Sequence, residues 1–115
     1  KELIILLISL NYKFTVEGNK DDIRKDLEII MGNVNDEIKI DLEMDGFYHF
    51  YKDGVMNYKT LFRRKLLERL NWRIVSFKYI DWAKFTEEEK YEKLKVKMNY
   101  ARISKINNNK TFIKI

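Results

Sequence analysis

Asp41, Glu43 and Asp45 fall at every second position of one run, Ile38-Lys39-Ile40-Asp41-Leu42-Glu43-Met44-Asp45, which ends in Gly46. Side chains alternate faces along a strand. The carboxylates therefore share one face with Lys39, and Ile38, Ile40, Leu42 and Met44 share the other. An acid from a neighbouring strand beside two on this one could hold a divalent ion that activates water. Asp26, Glu43 and Asp45 are the candidate ligands for such an ion, and His49, just past the turn, is the candidate general base. The plainer alternative is an exposed acidic strand face with His49 packed on aromatic neighbours. A second constellation follows directly. Phe47, Tyr48, Tyr51 and Lys52 sit in the loop after Gly46, and Lys59, Arg63, Arg64 and Arg69 sit on the segment after it. Aromatic faces stack on unpaired bases and cations neutralise phosphates, which is the chemistry of RNA contact. The plainer alternative there is a set of core aromatics and a solvated basic helix face.

The elements that must position these groups can be read from periodicity. Tyr12–Glu17 alternates as a strand, and Gly18-Asn19-Lys20-Asp21-Asp22 is a turn. Asn57 is placed to cap a helix over Tyr58–Leu70. Tyr58, Leu61, Phe62, Leu66 and Leu70 recur at helical spacing and are expected to form its core stripe, leaving the cations outside. Trp72–Tyr79 is a nearly continuous apolar strand, as in a central position of a sheet. Leu66 and Val75 are accordingly expected to be buried against each other's elements, with Leu66→Ala costing about 2–5 kcal/mol. Thr86-Glu87-Glu88-Glu89 is a capping box that opens a helix over Glu87–Ala101, with Tyr91, Leu94, Met98 and Ala101 as its buried stripe. Two stretches stay open on periodicity alone. Leu3–Leu10 fits a buried helix or a buried strand, and Ile23–Met31 fits a short helix or a strand leading into a hairpin with Ile38–Asp45.

Glu43-x-Asp45-Gly46-x-x-His49-Phe50, then Leu61-x-x-Arg64-x-Leu66-Leu67, Leu70-x-Trp72-x-Ile74-Val75-Ser76 and Asp81-Trp82 resemble the RAP domain, the "RNA-binding domain abundant in apicomplexans". The likeness is specific over about residues 38–95. Asn71 departs from it, standing where a Gly is usual, but Asn also tolerates a left-handed helix end. The resemblance implies an α/β, restriction-endonuclease-like fold, a mixed β-sheet flanked by helices. It favours a helix at Leu3–Leu10, with Asn11 ending it, and a strand at Leu27–Met31. In nucleases of that fold, of PD-(D/E)XK type, a Lys usually stands two residues after the second acid. Here Asp45 occupies that place, and neither Lys39 nor Lys52 matches the spacing.

The chain has 115 residues, enough for one domain with a modest core. We expect the domain to span 1–102, followed by an extended basic and Asn-rich tail over 103–115. There is no Cys, which excludes a disulfide framework and a thiolate metal site. The formal net charge of +5 favours an anionic partner. The apolar stretch up to Leu10 is too short to span a bilayer. The chain starts at Lys1 rather than Met, from which we expect a fragment or a processed product.

From the resemblance we expect an RNA-binding domain acting on organellar RNA without a cofactor. Its setting would be a mitochondrial ribosome or similar ribonucleoprotein, with rRNA and neighbouring proteins as partners and no membrane. A plastid-type organelle is the alternative location. The expected RNA-contacting residues are Tyr48, Tyr51, Lys52, Lys59, Arg63, Arg64 and Arg69. The competing reading is a divergent metal-dependent endonuclease using Asp26, Glu43, Asp45 and His49. A further one is a protein-docking module of an RNA-processing factor.

Overall fold

Alternating apolar residues and capped helical runs assemble into one mixed sheet with helices on both faces. The computed structural model describes residues 2–23, 25–33, 35–46 and 57–104. The elements are α1 (Glu2–Ser9), β1 (Thr15–Val16), β2 (Leu27–Met31), β3 (Ile38–Asp45), α2 (Tyr58–Arg69), β4 (Trp72–Lys78), α3 (Tyr79–Trp82) and α4 (Glu87–Ile103). The sheet order is β1-β2-β3-β4, antiparallel except for the parallel pair β3 and β4. A parallel pair needs a long crossover, and α2 lies in it. This is the α/β architecture expected, a four-stranded mixed sheet flanked by helices.

The hairpin reading of residues 27–45 holds, with Leu27 opposite Leu42 and Met31 opposite Ile38. Its turn uses Gly32 at φ +90°, where a Cβ would lie 2.2 Å from the carbonyl oxygen of Asp36. β1 is shorter than expected, and Glu17, at φ 53°, turns the chain away at its end. The helix at the start forms, and Asn11 ends it in the left-handed region at φ 65°. Asn71 does the same after α2 at φ 69°. Both caps read from the residues are present. Asn57 Oδ1 accepts from Thr60 N at 3.0 Å. Thr86 and Glu89 exchange their two bonds at 2.9 and 3.1 Å.

One face of the sheet carries the apolar core. Ile40 and Leu42 join Leu27, Ile29, Val75 and Phe77, covered by Leu3 and Leu7 of α1 and by Leu94, Met98 and Ala101 of α4. Trp82 closes this core against Phe77, ring centroids 4.7 Å apart. Its indole nitrogen donates to Glu2 Oε1 at 3.0 Å, which ties α3 to α1. Arg73 donates to the carbonyls of Ala101 and Arg102 at the C-terminus of α4, where a cation complements the helix dipole.

The other face overturns the expected orientation of α2. Tyr58, Leu61, Phe62, Leu66 and Leu70, the expected core stripe, are all exposed. Leu66 is 40% exposed, whereas Thr60 and Leu67 are the buried residues of this helix. Val75 is buried on the opposite side of the sheet, so Leu66 and Val75 do not meet. The reason lies beneath the helix. Asp41, Glu43 and Asp45 are buried there. An unpaired buried charge costs several kcal/mol, while leaving a Leu exposed forgoes only about 1.5–3 kcal/mol. The helix therefore turns its arginines, not its leucines, to the sheet. Leu67→Ala is expected to lower stability by about 2–5 kcal/mol and Leu66→Ala by less than about 1 kcal/mol. Urea midpoints of the two variants would show the order, and a larger loss for Leu66 would contradict this packing.

Candidate nucleic-acid interface

The chemistry of this face starts with adjacent arginines on α2. Successive helix residues lie about 100° apart, so Arg63 and Arg64 straddle the inward line defined by Thr60 and Leu67. Both reach β3. Arg63 grips Glu43 with both terminal nitrogens, Nη2 to Oε1 at 2.9 Å and Nη1 to Oε2. Arg64 Nη2 donates to Glu43 Oε1 at 2.8 Å and to Asp45 at 2.5 and 2.7 Å. Its Nη1 lies 3.4 Å from Ser76 Oγ on the parallel neighbour strand. Such forked, charge-assisted pairs are the strong class of hydrogen bond. They clamp the crossover helix onto both parallel strands.

Asp41 completes the cluster differently. It is fully buried, neither of its oxygens receives a hydrogen bond, and Arg63 Nη1 is 3.7 Å away. Burial, reinforced by the neighbouring Glu43 carboxylate, pushes its pKa far above the ordinary carboxylate range. At neutral pH it is a neutral acid beside the ionised Glu43. Burial also works to raise Glu43, but the bonds from Arg63 and Asp41 outweigh it and hold Glu43 ionised well below the usual range. The cluster thus holds two arginines, two carboxylates and one carboxylic acid.

The same face carries a second polar anchor. Lys25 is buried, with Nζ 3.0 Å from Glu28 Oε2, 2.6 Å from the carbonyl of Lys20 and 4.3 Å from the centre of the Trp72 ring. Asp21 accepts from Trp72 Nε1 at 2.9 Å and from Lys39 Nζ at 3.0 Å.

This geometry does not fit a divalent ion. The oxygens of Glu43 and Asp45 that would coordinate it already face guanidinium groups. Asp26 instead meets the backbone N–H of Met44 at 3.4 Å. Among the described residues no group of three or more His, Cys, Asp or Glu is disposed to hold a metal. His49 lies outside the described residues, as do Tyr48, Tyr51 and Lys52 of the expected RNA-contacting loop. The expected tail lies outside them from residue 105.

Of the expected RNA-contacting residues on α2, Arg63 and Arg64 point into the fold, and Lys59 and Arg69 point out. Beside these outward cations stand groups that the reading of the residues assigned to the core. Tyr58 is 73% exposed and Phe62 57% exposed. Lys65 is exposed between them and Arg69. None of Lys59, Lys65 and Arg69 forms an ion pair among the described residues. The outward face of α2 is therefore an aromatic surface interleaved with cations. One signal in the sequence could have revealed it. Three carboxylates on one strand face, in the same crossover unit as an Arg-Arg pair, ask for pairing before leucines ask for burial.

Neither the curated proteins nor the solved structures yield a match to this chain. The family model of the RAP domain matches residues 42–97. That span runs from β3 through α2, β4 and α3 into α4, and it holds Glu43, Asp45, Arg63, Arg64 and the outward face of α2. The family supports nucleic-acid binding, and RNA binding in particular. Among the described residues no helix is long and apolar enough to cross a membrane. Residues 42–97 of this chain are a RAP domain.

Proposed function

We propose that this domain binds single-stranded RNA through the outward face of α2, without cutting it and without a cofactor. The observation that carries this reading is the inward turn of Arg63 and Arg64. It leaves Tyr58 and Phe62 outside beside Lys59, Lys65 and Arg69. Bases stack on the rings, and the cations take the phosphates. The net charge of +5 supports the same partner. The resemblance of the chain supports an organellar setting, and we place the domain on an rRNA of a mitochondrial ribosome or similar ribonucleoprotein. A plastid-type organelle is the alternative. A second reading rests on Leu61, Leu66 and Leu70, exposed on the same helix. They would suit a neighbouring protein of such an assembly.

Fluorescence anisotropy with a labelled single-stranded RNA tests the proposal. Phe62→Ala is expected to weaken binding by about 1–3 kcal/mol, the usual worth of one stacked base. Lys65→Gln with Arg69→Gln should lower the salt slope by up to about 1.4 log units per log unit of salt. Absence of binding by the unaltered domain, or unchanged affinity in both variants, would overturn the proposal. So would cleavage of the RNA in magnesium or manganese.

A further inference from the structure

A cleft of about 550 Å³ opens on the α1 and α4 side of the sheet, the side away from α2. Its apolar floor is Tyr12, Ile29 and Met31, and its rim carries Lys13, Lys95 and Arg102. Lys95, Asn99 and Arg102 are four and three residues apart, so they line one face of α4. Arg102 Nη2 donates to Asn99 Oδ1 at 3.2 Å, which steers the guanidinium along that face.

The charges at this rim are one-sided. Among the described residues no Asp or Glu lines the cleft. None of Lys13, Lys95 and Arg102 pairs with a carboxylate among the described residues. A second cleft differs in its charges. That one, beside α3 and α4, mixes Asp45, Asp81 and Glu92 with its lysines. A ligand that suits the first cleft needs an anionic part for three uncompensated cations and a flat, weakly polar part for a floor holding a tyrosine ring. A volume of this size is ordinary for a small-molecule site. A nucleotide unit has both parts.

We infer that this cleft binds one nucleotide of an RNA strand, its phosphate on Lys13, Lys95 and Arg102 and its base over Tyr12, Ile29 and Met31. The inference deepens the RNA-binding reading by adding a second contact on the opposite face from α2. A free mononucleotide presents the same chemistry and is the alternative source of the ligand.

The test uses the full chain and two probes. Lys95→Gln with Arg102→Gln is compared with Lys84→Gln, a lysine outside the cleft, for binding of a single-stranded RNA oligomer. Adenosine and uridine monophosphates are titrated separately while the NMR signals of Tyr12 and Asn99 are followed. Far-UV circular dichroism confirms that each variant stays folded, as exposed side chains allow. The expected result is a loss of RNA affinity of about tenfold or more in the double variant. Its salt slope should fall by up to about 1.4 log units. Lys84→Gln should bind as before, and monophosphate-induced shifts at Tyr12 should vanish in the double variant.

If RNA binds and the double variant binds it equally well, the cleft inference is overturned while the RNA-binding reading stands. If no RNA binds but the monophosphates shift Tyr12, the cleft is a free-nucleotide site; the RNA-strand form of the inference is overturned, together with the RNA-binding reading. If neither probe binds, both fall.

Discussion

Glu43→Ala is expected to bring this domain close to unfolding. Glu43 accepts bonds from both Arg63 and Arg64, and it is buried. Truncating it strips Arg63 of both its close bonds, leaving Asp41 3.7 Å away, and leaves Arg64 with Asp45. Removing one partner of a buried pair costs about 3–5 kcal/mol, because the other charge stays buried. Domains of this kind have about 5–15 kcal/mol in all. Urea or thermal unfolding followed by circular dichroism reads the effect directly. A loss below about 1 kcal/mol would show that the arginines relax into solvent and that the clamp contributes little. Replacing the whole group is a different matter. Arg63→Met and Arg64→Leu combined with Glu43→Leu and Asp45→Leu, which leaves no buried charge without its partner, should recover most of the stability, since apolar residues can replace a buried ionic cluster at little cost. The same reasoning changes what Arg63→Ala and Arg64→Ala report. Their first effect is on folding, so weakened RNA binding in those variants must be corrected for the folded fraction.

Asp41→Asn is expected to stabilise the domain at alkaline pH and to flatten its pH profile. In the folded state the Asp41 pKa is raised from 3.8 to about 10, by burial first and by Glu43 next. The folded state therefore holds one proton that the unfolded state releases above the ordinary carboxylate range. Stability from this group is complete below that range and is lost as pH rises toward about 10. The slope is up to about 1.4 kcal/mol per pH unit. Glu43 works in the other direction. Its lowered pKa gives stability that is present above the carboxylate range and lost as pH falls toward about 2. The unaltered protein should thus be most stable in mildly acidic buffer. Between pH 5 and pH 8 it should lose on the order of 1 to 4 kcal/mol. Asn cannot ionise, and its amide brings N–H donors next to the Glu43 carboxylate. The variant should lose little over the same interval. Melting curves from pH 4 to pH 9 compare the two, and parallel profiles would mean that Asp41 is not held neutral.

Much of this fold was legible in the chain itself because the signals are local. The period-two run Ile38–Asp45 is a strand, and Ile38, Ile40, Leu42 and Met44 do face the core. Asn57 and the Thr86–Glu89 box start their helices where a side chain three residues away can reach a free N–H. The resemblance to the RAP domain, carried by residues from Glu43 to Trp82, rests on such local patterns as well. Tertiary structure, and not helical periodicity, decided which face of α2 meets the sheet. Helical spacing marked Leu61, Leu66 and Leu70 as core, yet the ground beneath the helix holds Asp41, Glu43 and Asp45. Periodicity counts apolar residues along one element and does not see the charges on the element opposite. Pairing buried carboxylates outweighs covering leucines, so the arginines went in and the aromatics came out. The surface we assign to RNA exists because of that exchange. The cleft between α4 and the ends of β2 and α1 is likewise beyond local reading, since Lys13 and Arg102 meet only when the sheet is folded.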